Sequence, residues 1–320
     1  MKAIVAHEFG APEVMKLEEF PAPKAATGQV LVRIRAAGVN PFDTYVRSGT
    51  YAIKPPLPYV PGGEGAGVVE AVGEGVTRVK PGDRVYVGHP ITGTYAEFAL
   101  ALDSQVHRLP ERVSFTQGAG VYVACSTAYH ALYHHARARA SETLLVHGAS
   151  GGVGITAVQL ARAMGLTVIG TAGTDKGLEL VRSEGAHHVF NHRSAGYQDA
   201  ILEATGGRGV DIVIEMLANV NLAADLKLLA RSGRVIVVGS RGDVTITPRD
   251  LMARRSSVTG FVLWGISDAD GVEVAAGVEA ALENGSLRPV VGKELPLGEA
   301  ARAHKEIIAG GAAGKIVLIP

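Results

Sequence analysis

The sequence predicts an α/β chain in two parts, a small all-β unit and a doubly wound sheet of parallel strands. Three observations predict it. The first hundred residues alternate apolar and polar by twos and are broken by glycine and proline. From Ser114 onward, β-branched runs alternate with helical patterns. A glycine-rich turn joins one of those runs to an apolar helix. With 320 residues the chain exceeds what one core ordinarily supports, so two domains are expected: 1–120 together with 265–320, and 121–264.

Taken in order, residues 29–35, 65–72, 83–87 and 95–100 read as short strands. Turn signals such as Lys80, Pro81, Gly82 and Asp83 separate them, which suits a partial barrel. Ser114 and Gln117 have the Ser-x-x-Gln spacing of a helix capping box. Strands follow at 143–147, 167–171, 188–190, 211–215, 234–238 and 257–263, with helical patterns between them, for example 153–164 and 174–184. Six strands with intervening helices imply a doubly wound parallel sheet. Two amphipathic helices near 268–284 and 297–309 and a last strand at 315–319 form a tail. That tail is expected to return to the first part, because a sheet of six strands is already complete.

Composition narrows the function classes. Apolar residues make up 47% and suffice for two cores, while few aromatics and 41 glycines fit tight α/β packing. A formal net charge of zero supplies no basic field for nucleic acid. The single cysteine, Cys125, rules out an internal disulfide framework and fits a reducing compartment, so the cytoplasm is expected. The first ten residues carry no apolar run of the kind a signal peptide needs. The longest uncharged stretch, 113–136, contains Ser114, Thr116, Gln117 and three histidines, so it reads as a buried helical connection and not a membrane span.

The sharpest motif is the turn carrying Gly148, Gly151, Gly152 and Gly154. It follows a β-branched strand and opens a helix through Ala157, Leu160 and Ala161, the context that a pyrophosphate-binding turn requires. Glycine lets the backbone approach the phosphates, and the helix N-terminus adds unpaired N–H groups and about half a positive charge. A dinucleotide in a Rossmann sheet is therefore expected. NADP(H) is favoured over NAD, because the second strand ends at Thr171, Ala172 and Gly173 without the carboxylate that holds a ribose diol. Lys176, His192 and Arg193 lie near strand ends and can meet a 2′-phosphate. Asp175 is the competing acid, but it falls in the first turn of a helix with Thr174 as N-cap, where an acid suits the helix dipole.

These motifs sit in a chain that resembles the medium-chain dehydrogenase/reductase superfamily over its whole length. It looks most like the zeta-crystallin-type NADPH:quinone oxidoreductases. The resemblance is carried by segment 37–51 with Asn40, Asp43, Tyr45 and Tyr51, by 146–154, by 215–221 ending in Asn221, and by 238–241 with Pro248, Arg249 and Asp250. It implies a GroES-like partial β-barrel catalytic domain beside the Rossmann domain. Zinc-dependent relatives place ligands where this chain has Asn40, Gly63 and near Val123, side chains that cannot replace thiolate or imidazole; Glu64 alone survives. The structural-zinc loop has no cysteines here. His130 and His134 are four apart, as chelating residues can be, yet Ala131 stands where a His-Glu-x-x-His motif has glutamate; tolerated imidazolium at a helix C-terminus is the preferred reading.

The resemblance therefore implies metal-independent hydride transfer from NADPH to an electron-poor quinone or activated carbonyl. Asn40 can donate its amide to a quinone oxygen, and Tyr45 and Tyr51 offer a phenol or a stacking face. Turn chemistry before Pro41 and ordinary packing are the competing readings of Asn40 and Tyr51. Asp43 has no clear role beyond an N-cap. Family positions lining NADPH fall on Tyr45, Ser150, Gly151, Gly152, Val153, Gly173, His192, Asn221, Val238, Gly239, Ser240, Arg241, Phe261, Val262 and Leu263. Residues 261–263 also read as an edge strand for dimer pairing, and a homodimer or homotetramer is implied by analogy. The rival readings are an enoyl-thioester or 2-alkenal reductase of the same fold, a crystallin or AU-rich RNA-binding role, and a zinc alcohol dehydrogenase.

Overall fold

The computed structural model describes residues 1–52, 54–311 and 313–320. The chain divides into two compact units, Met1–Val123 with Arg288–Pro320, and Ala124–Leu287. In the first unit the strands are β1 (Lys2–Ala6), β2 (Met15–Glu19), β3 (Gln29–Val39), β4 (Glu64–Val72), β5 (Arg84–Gly88), β6 (Phe98–Leu102) and β7 (Val106–Arg108), with helix α1 (Pro41–Ser48) after β3. Helices α2 (Phe115–Gly118) and α3 (Tyr122–His130) lead out of it. The second unit alternates β8 (Thr143–Val146), α4 (Gly152–Ala163), β9 (Thr167–Ala172), α5 (Asp175–Ser183), β10 (His188–Asn191), α6 (Tyr197–Ala204), β11 (Val210–Glu215), α7 (Ala218–Leu228), β12 (Leu229–Val237), α8 (Pro248–Arg254), β13 (Ser257–Gly260) and α9 (Asp268–Asn284). The chain then returns to the first unit through β14 (Val291–Pro296), α10 (Ala300–Ala309) and β15 (Lys315–Ile319).

The second unit is a six-stranded sheet in the order β10-β9-β8-β11-β12-β13, parallel throughout. That is the doubly wound order, with the chain reversing direction of travel beside β8. Its central strands are apolar on both faces: Leu144, Leu145, Val146, Ile212, Val213 and Ile214 have no exposed surface. Helices on either face explain why these strands read as continuous apolar runs. The first unit is built on a seven-stranded sheet in the order β14-β15-β3-β4-β5-β7, with β6 on β3 and a separate β1-β2 hairpin. Its strands pair antiparallel except β14 with β15, which are parallel, and one core face accounts for the alternation in the first part of β3. No helix among the described residues is long and apolar enough to cross a membrane.

Four elements differ from the sequence expectations, each for a local reason. The strand expected at 95–100 runs instead over Phe98–Leu102, because residues before it turn to β1: Ala96 bridges Ala3, and the Tyr95 carbonyl accepts from Ile4 N–H. The strand expected to reach Leu263 stops at Gly260; Phe261 turns onto histidine rings and Leu263–Gly265 forms a 3₁₀ turn. The histidine segment is not a plain α-helix C-terminus, since residues Ala131–His135 form a π turn closed by Ala136 N–H on the Ala131 carbonyl. The second segment of the first unit begins at Arg288 and not at 265. Helix α9 belongs to the second unit, where it buries Val274, Val278 and Leu282 and pairs Asp270 with His134 at 3.3 Å.

Leu145 lies in the middle of the parallel sheet and in the second unit's core. Truncating it to alanine removes buried apolar surface and leaves a cavity that close-packed strands cannot collapse. Leu145→Ala is expected to cost about 2–5 kcal/mol of stability, read as a lowered denaturation midpoint with an unchanged slope.

Candidate functional site

The glycine turn stands at the C-terminal edge of the parallel sheet. Gly148 takes a left-handed conformation at φ 60° and its carbonyl accepts from Gly151 N–H at 3.1 Å, while Ala149 N–H ties the turn to the Thr171 carbonyl at 2.8 Å. Helix α4 starts at Gly152 with Gly151 as N-cap. A Cβ on Gly154 would lie 2.5 Å from the Gly148 oxygen, so only glycine lets the first helical turn press onto the loop. A Cβ on Gly151 would meet nothing nearer than 3.5 Å. The space before the helix N-terminus is thus open, and the N–H groups of Gly152 and Val153 lie in the turn where no intrahelical partner exists.

The other strand ends bring the remaining candidates to the same edge. Beyond β9, a Cβ on Gly173 would lie 2.7 Å from His192 Nε2 and 2.9 Å from Arg193 Nε. Two nitrogen-bearing side chains therefore converge where an NAD-binding sheet presents a carboxylate. Thr174 caps α5 by accepting from Gly177 N–H at 3.1 Å, Asp175 sits in the first turn, and Lys176 is exposed beside them. Burial holds the His192 pKa down, with the positive charges of His147 and Arg193 adding to it. Beyond β11 and β12, the N–H groups of Val238 and Gly239 donate to the Glu215 carbonyl at 2.8 and 3.3 Å. Ser240 Oγ donates to the Gly242 carbonyl at 2.9 Å, and Arg241 N–H to Asn219 Oδ1 at 2.9 Å. Phe261 stacks on His135 with ring centres 4.6 Å apart, Val262 is 57% exposed and Leu263 is buried.

Three buried ionisable residues at this edge escaped the sequence reading. His147 ends the strand before the glycine turn, Glu215 ends β11, and Asp225 lies in α7. His147 Nε2 meets Asp225 Oδ1 at 2.8 Å and Glu215 Oε2 at 3.7 Å; none of the three is more than 3% exposed. On its other side His147 Nδ1 lies 3.3 Å from Thr171 Oγ1, which accepts from Gly148 N–H at 3.4 Å. Glu215 Oε1 accepts from Leu217 N–H and from Asn221 Nδ2, the latter at 3.1 Å. Burial pushes the Glu215 pKa up to about 7, with the Asp225 carboxylate adding to the shift and the His147 charge opposing it. Burial alone would lower the His147 pKa, but its hydrogen bond to Asp225 and the charges of Asp225 and Glu215 leave it raised. The signal available in the sequence was a charged residue at the end of an otherwise apolar strand, at 147 and at 215.

In the first unit, Asn40, Tyr45 and Tyr51 are grouped by α1. Asn40 is the N-cap, and Asp43 at the third helical position accepts from the Asn40 backbone N–H at 2.8 Å, so the capping role expected for Asp43 belongs to Asn40 with Asp43 as its reciprocal partner. Asn40 is 5% exposed and its side chain is engaged on both atoms: Nδ2 donates to Glu64 Oε1 at 2.9 Å, and Oδ1 accepts from Lys315 Nζ at 2.6 Å. Lys315 Nζ also donates to Glu64 Oε1 at 2.5 Å, and Val123 N–H donates to Glu64 Oε2 at 2.8 Å. Glu64, the residue left over from a metal-site pattern, is the hub of a buried ion pair. Its neighbours are an amide N–H, a backbone N–H and an ammonium, all donors, whereas a zinc ion needs lone pairs. Asp43 is held up to about 6 by burial, reinforced by the Glu64 charge and opposed by N–H donors and Lys315. Tyr45 is half-buried on α1, and Tyr51 meets the Phe42 ring edge-on at 4.7 Å. Beside α1 lies a cavity of about 540 Å³ lined by Phe42, Asp43, Val46, Tyr59, His89 and Ile91.

The histidine cluster of the second unit reads differently from the sequence expectation. Burial, with the charges of His134 and His135, lowers the His130 pKa to about 4, so His130 is a neutral imidazole and not a tolerated imidazolium. His134 faces Asp270 and Glu273 at 3.3 and 3.5 Å.

Comparison with known proteins agrees with this geometry. The model of the alcohol dehydrogenase GroES-like domain matches residues 26–111, and that of the zinc-binding dehydrogenases matches residues 152–275. A human protein named quinone oxidoreductase is 51% identical, spanning 100% of this chain and 98% of its own length. A Pseudomonas aeruginosa quinone oxidoreductase is 34% identical over 98% of this chain and 97% of its own. Among solved structures, Escherichia coli quinone oxidoreductase complexed with NADPH matches with a TM-score of 0.89 and 31% identity, covering 100% of both chains.

Removing one member of a buried ion pair leaves the other uncompensated. Lys315→Met is therefore expected to lose about 3–5 kcal/mol of stability. In chemical denaturation the double variant Lys315→Met with Glu64→Gln should recover most of that loss; a single variant as stable as the parent would show that the pair does not hold the unit.

Proposed function

We propose that this chain, which belongs to the medium-chain dehydrogenase/reductase superfamily and within it to the quinone oxidoreductases, catalyses NADPH-dependent reduction of quinones. The observation that carries the reading is the pairing of the open glycine turn with His192 and Arg193 beyond Gly173, in a chain matched along its whole length by quinone oxidoreductases. The residues fit a phosphorylated dinucleotide. The amides of Gly152 and Val153 and the dipole of α4 suit a pyrophosphate. His192, Arg193 and Lys176 supply charge-assisted hydrogen bonds to a 2′-phosphate, and Asp175 stands in the first turn of α5, where an acid suits the helix dipole. Within the second unit, Asn221, the Val238–Arg241 segment and residues 261–263 complete the proposed coenzyme contacts.

When bound, NADPH supplies the hydride that a quinone accepts. The chain's own contribution is positioning and polarisation. Asn40 Nδ2 carries a second N–H besides the one held by Glu64, and we assign that hydrogen to a quinone oxygen. Lys315 fixes which end of the amide is the donor, because an ammonium accepts nothing and so demands Oδ1. The aromatic and aliphatic cavity beside α1 suits a flat apolar ring, and Tyr51 on Phe42 adds an aromatic edge. A cytoplasmic setting belongs to the same reading, supported by a lone buried thiol at Cys125. So does a homodimer or homotetramer, supported by the place of β13 at the end of its sheet with exposed Ser257, Thr259 and Gly260.

The assignment is tested by NADPH oxidation with 1,2-naphthoquinone against a crotonyl thioester. Faster turnover of the quinone is expected, and a strong preference for the thioester would move the chain to the enoyl reductases. Gly151→Asp should abolish NADPH binding while the melting transition persists, because its side chain has room in the fold but stands where pyrophosphate belongs. Asn40→Ala should lower kcat by about a hundredfold with the NADPH Kd unchanged.

A further inference from the structure

The His147, Glu215 and Asp225 cluster lies outside the residues assigned to hydride transfer, yet it joins two pieces of the proposed coenzyme edge. Through Thr171 it reaches the Gly148 N–H of the phosphate turn, and through Glu215 it reaches the Asn221 amide. We propose that Glu215 is a positioning residue for NADPH, holding the Asn221 amide in the geometry that the coenzyme requires. The proposal rests on the reading of Asn221 as a coenzyme contact.

The charge balance gives Glu215 a second consequence. One imidazolium and two carboxylates, all out of water, are electroneutral only when one carboxyl keeps its proton. Among the described residues Glu215 Oε2 and Asp225 Oδ2 are both buried without a hydrogen-bond donor, so a proton on Glu215 Oε2 supplies what both oxygens lack. The groups facing this proton are His147 from the end of β8, Asp225 from α7, Tyr197 from α6 and His192 after β10. Burial first, then the charges of Asp225 and Glu215, raises the Tyr197 pKa, so that phenol stays neutral. Burial holds the Glu215 pKa well above the usual carboxylate range, and loss of that proton adds one negative charge at an edge that receives an anionic coenzyme. NADPH affinity therefore weakens as pH rises through neutrality. The sign for stability is the same: the folded pKa lies above the usual carboxylate value, so the proton's contribution is full in acid and is lost as pH climbs through about 7.

The experiment is NADPH titration by coenzyme fluorescence at pH 6 and pH 8, with thermal unfolding as the control for folding. The proteins are the parent, Glu215→Ala, Glu215→Gln, Asn221→Ala and the Asn221→Ala, Glu215→Ala double variant. Glu215→Ala is expected to weaken binding about tenfold at pH 6. Glu215→Gln keeps an acceptor for Asn221 and a donor for Asp225, so at pH 8 it should bind NADPH more tightly than the parent does at pH 8, and at pH 6 the two should bind alike. Ionisation of the coenzyme phosphate is common to both proteins at a given pH and cancels in that comparison. The double variant should bind no worse than Asn221→Ala, because Glu215 acts through Asn221. Unchanged binding by Glu215→Ala beside weakened binding by Asn221→Ala would overturn the proposal alone, as would additive losses in the double variant. Unchanged binding by Asn221→Ala would remove the coenzyme role of Asn221 and the proposal with it, while leaving the Gly151→Asp result to stand for the turn itself.

Discussion

A carboxylate withdrawn from water needs a donor or a countercharge within hydrogen-bonding distance, and each unit of this chain is organised around that constraint. In the first unit the carboxylate is Glu64, and three groups answer it: the Lys315 ammonium, the Asn40 amide and the Val123 backbone N–H. In the second unit Asp225 and Glu215 share His147. Both arrangements tie a strand end to a distant element. Both also sit beside residues assigned to chemistry or to coenzyme, so the same hydrogen bonds that satisfy burial also set side-chain orientation.

The first unit shows how a buried carboxylate is satisfied by elements far apart in sequence. At positions where the resemblance to zinc-dependent relatives leads one to expect ligands, this chain has Asn40, Gly63 and Val123. Glu64 beside them would otherwise be a stranded charge. The last strand supplies an ammonium, and Asn40 and Val123 donate to the same carboxylate. A quinone suits such a site, since an electron-poor ring accepts hydride with help from a single N–H, whereas a simple ketone asks for stronger polarisation.

The glycine turn's place between a strand and a helix was legible in the linear pattern. The glycine turn announced itself because glycine spacing after a β-branched run has few other uses. Thr174 and Asp175 were readable as cap and first-turn acid from local chemistry. The same method misjudged residues 261–263, because an apolar run does not say whether it extends a strand or leaves it. It also misjudged His130, whose charge state depends on burial and on two neighbouring rings. Asp43 had no assigned role because its partners Gly63 and Tyr95 are remote in sequence.

The order of the elements, the parallel sheet and the position of the phosphate turn were determined by sequence alone, since periodicity and glycine placement act within a few residues of themselves. Tertiary structure decided the pairing of charges. Lys315 meets Glu64 across 251 residues, and His147 meets Asp225 across 78. No local rule selects such partners; they are selected when folding removes water from all of them at once and leaves each only its neighbours.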